Sequence, residues 1–205
     1  EQAFYGLIAA QRARDGRNSL YRMGDSLTVT GELAGAKPGE GLEGKDPAVT
    51  YMPIVDREAT FPDITGVNAH KNQPAIESLA SRGVISGKSD GNFDPDGDMT
   101  RAEFAAIVVK ALGLAPAAAD RFTDVPADAW YAGYVGTAST YGIVTGTGDG
   151  SAFRPDGTIS RQEAAVMVAR APKRCGLCTA LDTGAIRDIL AQFTDYVTTS
   201  EWARE

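Results

Sequence analysis

The sequence predicts a mostly α protein built from repeated helix-loop-helix units, and three observations carry that prediction. A phrase occurs twice, as "DGDMTRAEFAAIV" at 96–108 and "DGTISRQEAAVMV" at 156–168. The step is regular: 60 residues separate Arg101 from Arg161, Glu103 from Glu163 and Phe93 from Phe153, and 61 separate Phe61 from Phe122. Between these markers, apolar residues fall at helical spacing and stop at glycine. A repeat of this size marks stacked units, each with too little core to stand alone.

The elements follow in order. Each unit opens on F-x-D, "FPDI" in copy one and "FTDV" in copy two. Ile76, Leu79 and Ala80 then share a helix face, Pro74 suits the first turn, and Gly83 ends the helix. After a polar loop, Phe104, Ile107, Val108 and Ala111 form the stripe of a second helix that Gly113 closes. In copy two the matching stripe is Ala164, Val166, Met167, Val168 and Ala171, with Pro172 expected to end it. "DTGAIRDILAQ" reads as a short linking helix, and a third copy opens at Phe193 with "FTDY" and reaches only Glu205. The expected organisation is therefore repeat one at 61–121, repeat two with its linking helix at 122–192, and the start of an incomplete third repeat at 193–205. Residues 25–60, rich in Gly and Pro, read as a linker, with "AVTYMPIV" as an extended piece. Residues 1–24 read as an amphipathic helix with Phe4, Leu7, Ile8 and Gln11 on one face. The start at Glu1 and the interrupted third copy suggest a piece of a longer protein.

Composition excludes several functions. A net charge of −7 argues against nucleic acid and anionic membrane as partners, since both select clustered Lys and Arg. No apolar run approaches the ~20 residues that span a bilayer. The only histidine is His70 and the only cysteines are Cys175 and Cys178, too few ligands for a structural zinc site. No G-x-S-x-G elbow is present. The expectation is a protein without catalytic residues, metal or cofactor. "CGLC" lacks a βαβ context. Aligning Gly176 with Gly113 sets Cys175 opposite Leu112, which points to a buried structural thiol, with a tight disulfide as the alternative.

The recurring phrase has a local explanation in part. Thr100-x-x-Glu103 and Ser160-x-x-Glu163 are capping boxes. The arginine is not explained that way, because a cation in the first turn opposes the helix dipole. Its presence twice requires a structural ion pair or an anionic ligand. A calcium loop also fits Asn92, Asp94, Asp96, Gly97 and Glu103. Copy two keeps the phrase with Ala152 and Arg154 at two of those ligand positions, so calcium is not the reason for it.

These motifs together resemble S-layer homology (SLH) repeats: the F-x-D opening, the "VISGK" and "IVTGT" turns, F-x-P and [TS]-R-x-E occur in order, twice, over 61–205. The resemblance implies three repeats in a pseudo-threefold bundle, with grooves between neighbours. It implies non-covalent anchoring of a secreted bacterial surface protein to the cell wall, through a pyruvylated secondary cell-wall polysaccharide. The groove arginine of the family maps onto Arg101 and Arg161. A guanidinium fork can grip the ketal carboxylate in a bidentate manner. Sugar faces stack on aromatic rings, which nominates Trp130 and its counterpart Trp202, with a core role for Trp130 as the alternative. Copy one has His70 or Lys71 where copy two has Trp130. Lys88 reads as a solvated loop lysine or as a second groove cation of copy one, Asp63 and Asp124 are expected to cap or brace turns, and the repeats are expected to pack within one monomer. Residues 1–24 resemble the last helix of an α/α-toroid of the prenyltransferase and terpene-cyclase-like kind. That leaves a second function open, a support or protein-interaction module for a toroid-type surface enzyme.

Overall fold

The computed structural model describes residues 44–176, 183–192 and 196–203. The expected helix at 1–24, the start of the expected linker and Cys178 lie outside the described residues. Among the described residues there are five α-helices: α1 (Gln73–Ala80), α2 (Arg101–Ala111), α3 (Ala132–Thr140), α4 (Arg161–Arg174) and α5 (Thr183–Leu190). Short 3-10 turns fill Pro62–Ile64, Gly66–Asn68, Tyr196–Thr198 and Glu201–Ala203. Among the described residues there is no strand, only the isolated bridges Thr100–Thr158 and Thr147–Ala152.

The local signals act as expected. Pro74 sits in the first turn of α1, and Gly83 and Gly113 take φ of +69° and +63° just past α1 and α2. Both capping boxes form. The Thr100 and Ser160 hydroxyls accept the N–H of Glu103 and Glu163, and each glutamate accepts its cap residue's N–H, at 2.7 and 2.8 Å. Pro172 does not end α4, which runs on to Arg174. Pro172 forfeits one backbone bond only a turn from the helix end. That turn is held from outside: Arg174 Nε donates to the Tyr141 carbonyl at 2.8 Å, and the Arg174 carbonyl accepts the Asp46 N–H.

Two cores form. The larger one gathers Ala105, Val108, Val109, Leu112, Val135, Ile143 and Phe153 from both repeats, and Cys175 is a half-buried free thiol packed against it. The smaller one holds Phe61, Ile64, Ile76 and Val84 of repeat one. Helix α2 packs against both α3 and α4, so Ala102, Ala105, Ala106 and Val109 are buried, whereas Ala111 of the predicted stripe is exposed. A helix lying between neighbours buries more than one face, which a single stripe cannot express.

Residues 45–56, which include the extended piece expected at 48–55, run as a strap over the ends of three helices. Asp46 N–H donates to the Arg174 carbonyl at the end of α4, and Thr50 N–H to that of Leu112 at the end of α2. Val55 and Asp56 donate to Ser81 at the end of α1, and Arg82 reaches back to the Met52 carbonyl at 2.6 Å. Terminal carbonyls left without helical partners attract the strap's amides.

Repeat one is also seated directly on repeat two. The first two amides of α2, Arg101 and Ala102, donate to the carbonyls of Gly157 and Pro155 at 2.9 and 3.0 Å. Ile159 N–H donates to Met99 in return. The orphan donors of one repeat's helix are therefore satisfied by the next repeat's F-x-P-D-G loop.

Candidate functional site

Two grooves lie at equivalent places in the repeat. Groove 1, about 550 Å³, is bounded by Val84–Lys88, by the α2 face bearing Glu103, Ile107 and Lys110, and by Trp130 of repeat two. Groove 2, about 450 Å³, is bounded by Ile143–Gly148, by the α4 face bearing Glu163, Met167 and Arg170, and by Trp202. Each tryptophan lies beyond, in sequence, the helix whose groove it lines. Trp130 is 62 % exposed and Trp202 52 %, so Trp130 is not a core residue. It stands edge-on to Tyr131, with ring centroids 5.4 Å apart.

The groove walls are built alike. Asp63 accepts the N–H groups of Phe93 and Asp94, and Asp124 those of Phe153 and Arg154. These are the turn braces expected of the two aspartates. Phe61 tilts on Phe93 at 5.4 Å, and Phe122 on Phe153 at 5.5 Å. A Cβ at Gly87 would come within 2.5 Å of the Phe61 ring, which is why each wall turns on a glycine there and at Gly146. Asp94 and Arg154 hold φ of 59° and 60° at matching places, left-handed values uncommon away from glycine.

Each capping glutamate does a second job with its other oxygen. Glu103 Oε2 holds the Thr100 cap while Oε1 accepts Lys88 Nζ at 3.0 Å. Glu163 Oε2 holds the Ser160 cap while Oε1 accepts Arg101 Nη1 at 2.5 Å. Arg101 is 6 % exposed, its Nε donates to the Phe153 carbonyl at 2.8 Å, and its guanidinium lies 4.9 Å from the Phe153 ring centre. The arginine of one phrase therefore pairs with the glutamate of the next. Burial lowers the Arg101 pKa, Glu163 opposes that, and the nearby Arg154 charge adds to the lowering.

The structure brings Arg101 and Trp202 together in groove 2, and Lys88 and Trp130 in groove 1. Arg161 is exposed and lines neither groove, and neither do His70 and Lys71. Lys110, Tyr134, Arg154 and Arg170 line the grooves and escaped the sequence reading. The 60-residue step that pairs 94 with 154 and 110 with 170 is the signal that could have found them.

Four wall and cap carboxylates titrate below their ordinary values. The Phe93 amide lowers Asp63 most strongly. For Glu103, Asp124 and Glu163, burial pushes upward but is outweighed by N–H donors and neighbouring cations. A folded pKa below the unfolded one adds stability that is present above the unfolded value and lost as pH falls through the folded one. The melting temperature is expected to hold from neutrality to about pH 5 and to fall below about pH 4. Melts in a pH series check this, and Asp63→Asn with Asp124→Asn should flatten the acid limb. Glu103→Ala is expected to cost about 0.5–2 kcal/mol through the lost cap, read by denaturant unfolding.

The S-layer homology domain profile matches residues 60–105 and 121–165. The chain is 32 % identical over 152 residues to exoglucanase XynX of Acetivibrio thermocellus, covering 74 % of this chain and 13 % of that protein. It is 34 % identical over 157 residues to the surface-layer 125 kDa protein of Lysinibacillus sphaericus, covering 77 % and 12 %. With the middle cell wall protein of Brevibacillus brevis it shares 36 % over 104 residues, 48 % and 10 % of the two chains. The chain thus spans a small fraction of these relatives' length. Profile, motif order and the two matching grooves agree: residues 60–105 and 121–165 of this chain are S-layer homology repeats.

Proposed function

We propose that this chain is a wall anchor, holding a secreted bacterial surface protein to the cell wall without a covalent bond and without catalysis. The observation that carries the reading is the pair of matching grooves, each presenting one exposed tryptophan beside a cation. The ligand proposed is a pyruvylated secondary cell-wall polysaccharide. A sugar's C–H face packs on Trp130 or Trp202, the groove cations, Lys88 and Arg101 among them, face the sugar's oxygens, and the ketal carboxylate is held by a cationic side chain of a groove. Repeats pack within one chain, so a monomer suffices for both grooves. The names of the relatives, which include cell-wall and surface-layer proteins, support the wall as the destination.

The test is sedimentation with purified wall sacculi. Retention is expected on native sacculi and loss on sacculi stripped of the secondary polymer. Trp130→Ala with Trp202→Ala should abolish retention while the melt is kept. Retention on stripped sacculi would point to a protein partner and overturn the reading.

A further inference from the structure

The two grooves share a frame but not a charge. At the left-handed position on the wall, groove 1 carries Asp94 and groove 2 carries Arg154, with φ of 59° and 60°. Overall, groove 1 sets Lys88 and Lys110 against Asp94, Asp98 and Glu103, two cations against three anions. Groove 2 sets Arg101, Arg154 and Arg170 against Glu163, three cations against one anion. Pairing sharpens the contrast. Lys88 is held by Glu103, and Lys110 lies 5.5 Å from the centre of the Tyr134 ring. In groove 2 the Arg101 guanidinium is held by Glu163 and the Phe153 carbonyl. The exposed Arg154 guanidinium has no hydrogen bond or ion pair among the described residues. Its backbone is pinned, because its N–H donates to Asp124 at 2.7 Å.

From this contrast, resting on the wall-saccharide reading above, we infer that residue 154 and its counterpart 94 sort ligands between the grooves: Arg154 makes groove 2 the seat of a carboxylate-bearing sugar, and Asp94 reserves groove 1 for uncharged sugar. A guanidinium with its donors open can take a carboxylate in a bidentate manner, whereas Arg101 has already spent donors on the fold. A carboxylate in groove 1 would face Asp94 and Asp98. Like charges brought together at a binding site oppose association. The exchange of Asp for Arg is conformationally even, since each residue already occupies the left-handed backbone at its own site.

The chain supplies its own reporters, because Trp130 and Trp202 are its only tryptophans and each lines one groove. Trp130→Phe leaves a fluorescence signal from groove 2 alone, and Trp202→Phe one from groove 1 alone. Each variant is titrated with a pyruvyl-ketal sugar glycoside and with the same glycoside lacking the ketal. The Trp202 signal is expected to respond to the ketal sugar at least tenfold more tightly than to the plain one, and the Trp130 signal to differ by less than threefold. Adding Arg154→Asp should erase the preference in groove 2, and adding Asp94→Arg should create one in groove 1, with melting temperatures unchanged in both. Arg154→Lys should recover only part of the preference. An undiminished ketal preference in Arg154→Asp, or a native groove 1 that prefers the ketal sugar, overturns the inference while leaving the wall-saccharide reading standing. No response at either tryptophan to either glycoside overturns both.

Discussion

Replacing Phe153 with alanine is expected to destabilise the protein by about 3–5 kcal/mol, lowering the melting temperature by roughly 10 °C. Phe153 is fully buried and is the largest side chain to be so among the described residues. Its ring tilts against Phe122 and underlies the Arg101 guanidinium. Its amide is braced by Asp124, and its carbonyl receives Arg101 Nε. Truncation therefore opens a cavity where both repeats meet. The comparison that gives the result meaning is Phe93→Ala. Phe93 has the same place in repeat one and the same tilted partner, but it is only partly buried and packs against the smaller core. It should cost at least about 1 kcal/mol less, since fewer contacts are lost. Chemical denaturation of both variants measures the difference. Equal losses would mean that the seam between repeats is no more tightly packed than the core of repeat one.

Arg101→Ala carries the second large effect, an expected loss of about 3 kcal/mol. Its position in the first turn of α2 opposes the helix dipole, and from that alone its removal would be close to neutral. The fold reverses the sign. Arg101 is buried, and its loss strands both the Phe153 carbonyl and one oxygen of Glu163. Removing one partner of such a pair costs far more than the pair contributes net. A quarter of the Glu163 side chain remains exposed, which places the figure at the lower end of the range for buried pairs. A double-mutant cycle with Glu163→Gln isolates the coupling, because glutamine can keep the cap through its amide oxygen. Arg161→Ala is the control: the same residue of the same phrase, exposed, should change stability by less than about 0.5 kcal/mol. A neutral Arg101→Ala would show that the pair does not join the repeats.

What the sequence by itself determined lies within a few residues of its own signals. The capping boxes at Thr100 and Ser160, the stops at Gly83 and Gly113 and the aspartate braces were all readable there. Each rests on hydrogen bonds or steric limits that adjacent residue types dictate, or on a periodicity that two copies make visible. What only the tertiary structure decided are matters of which distant group arrives. The phrase's arginine offered two explanations, and the ion pair of Arg101 depends on a glutamate 62 residues away in the next repeat, while Arg161 stays exposed. The strap at 45–56 carries no helical periodicity to give it a place in the fold; it is held by its own amides on carbonyls that helix ends expose. Pro172 looked like a stop, and became tolerable once the strap and the Arg174–Tyr141 contact held the last turn. Trp130 could have been core or surface, and its exposure follows from how the opening of repeat two meets the α2 face of repeat one. Local chemistry is written in neighbouring residues, whereas burial and partner choice depend on the packing of the whole chain.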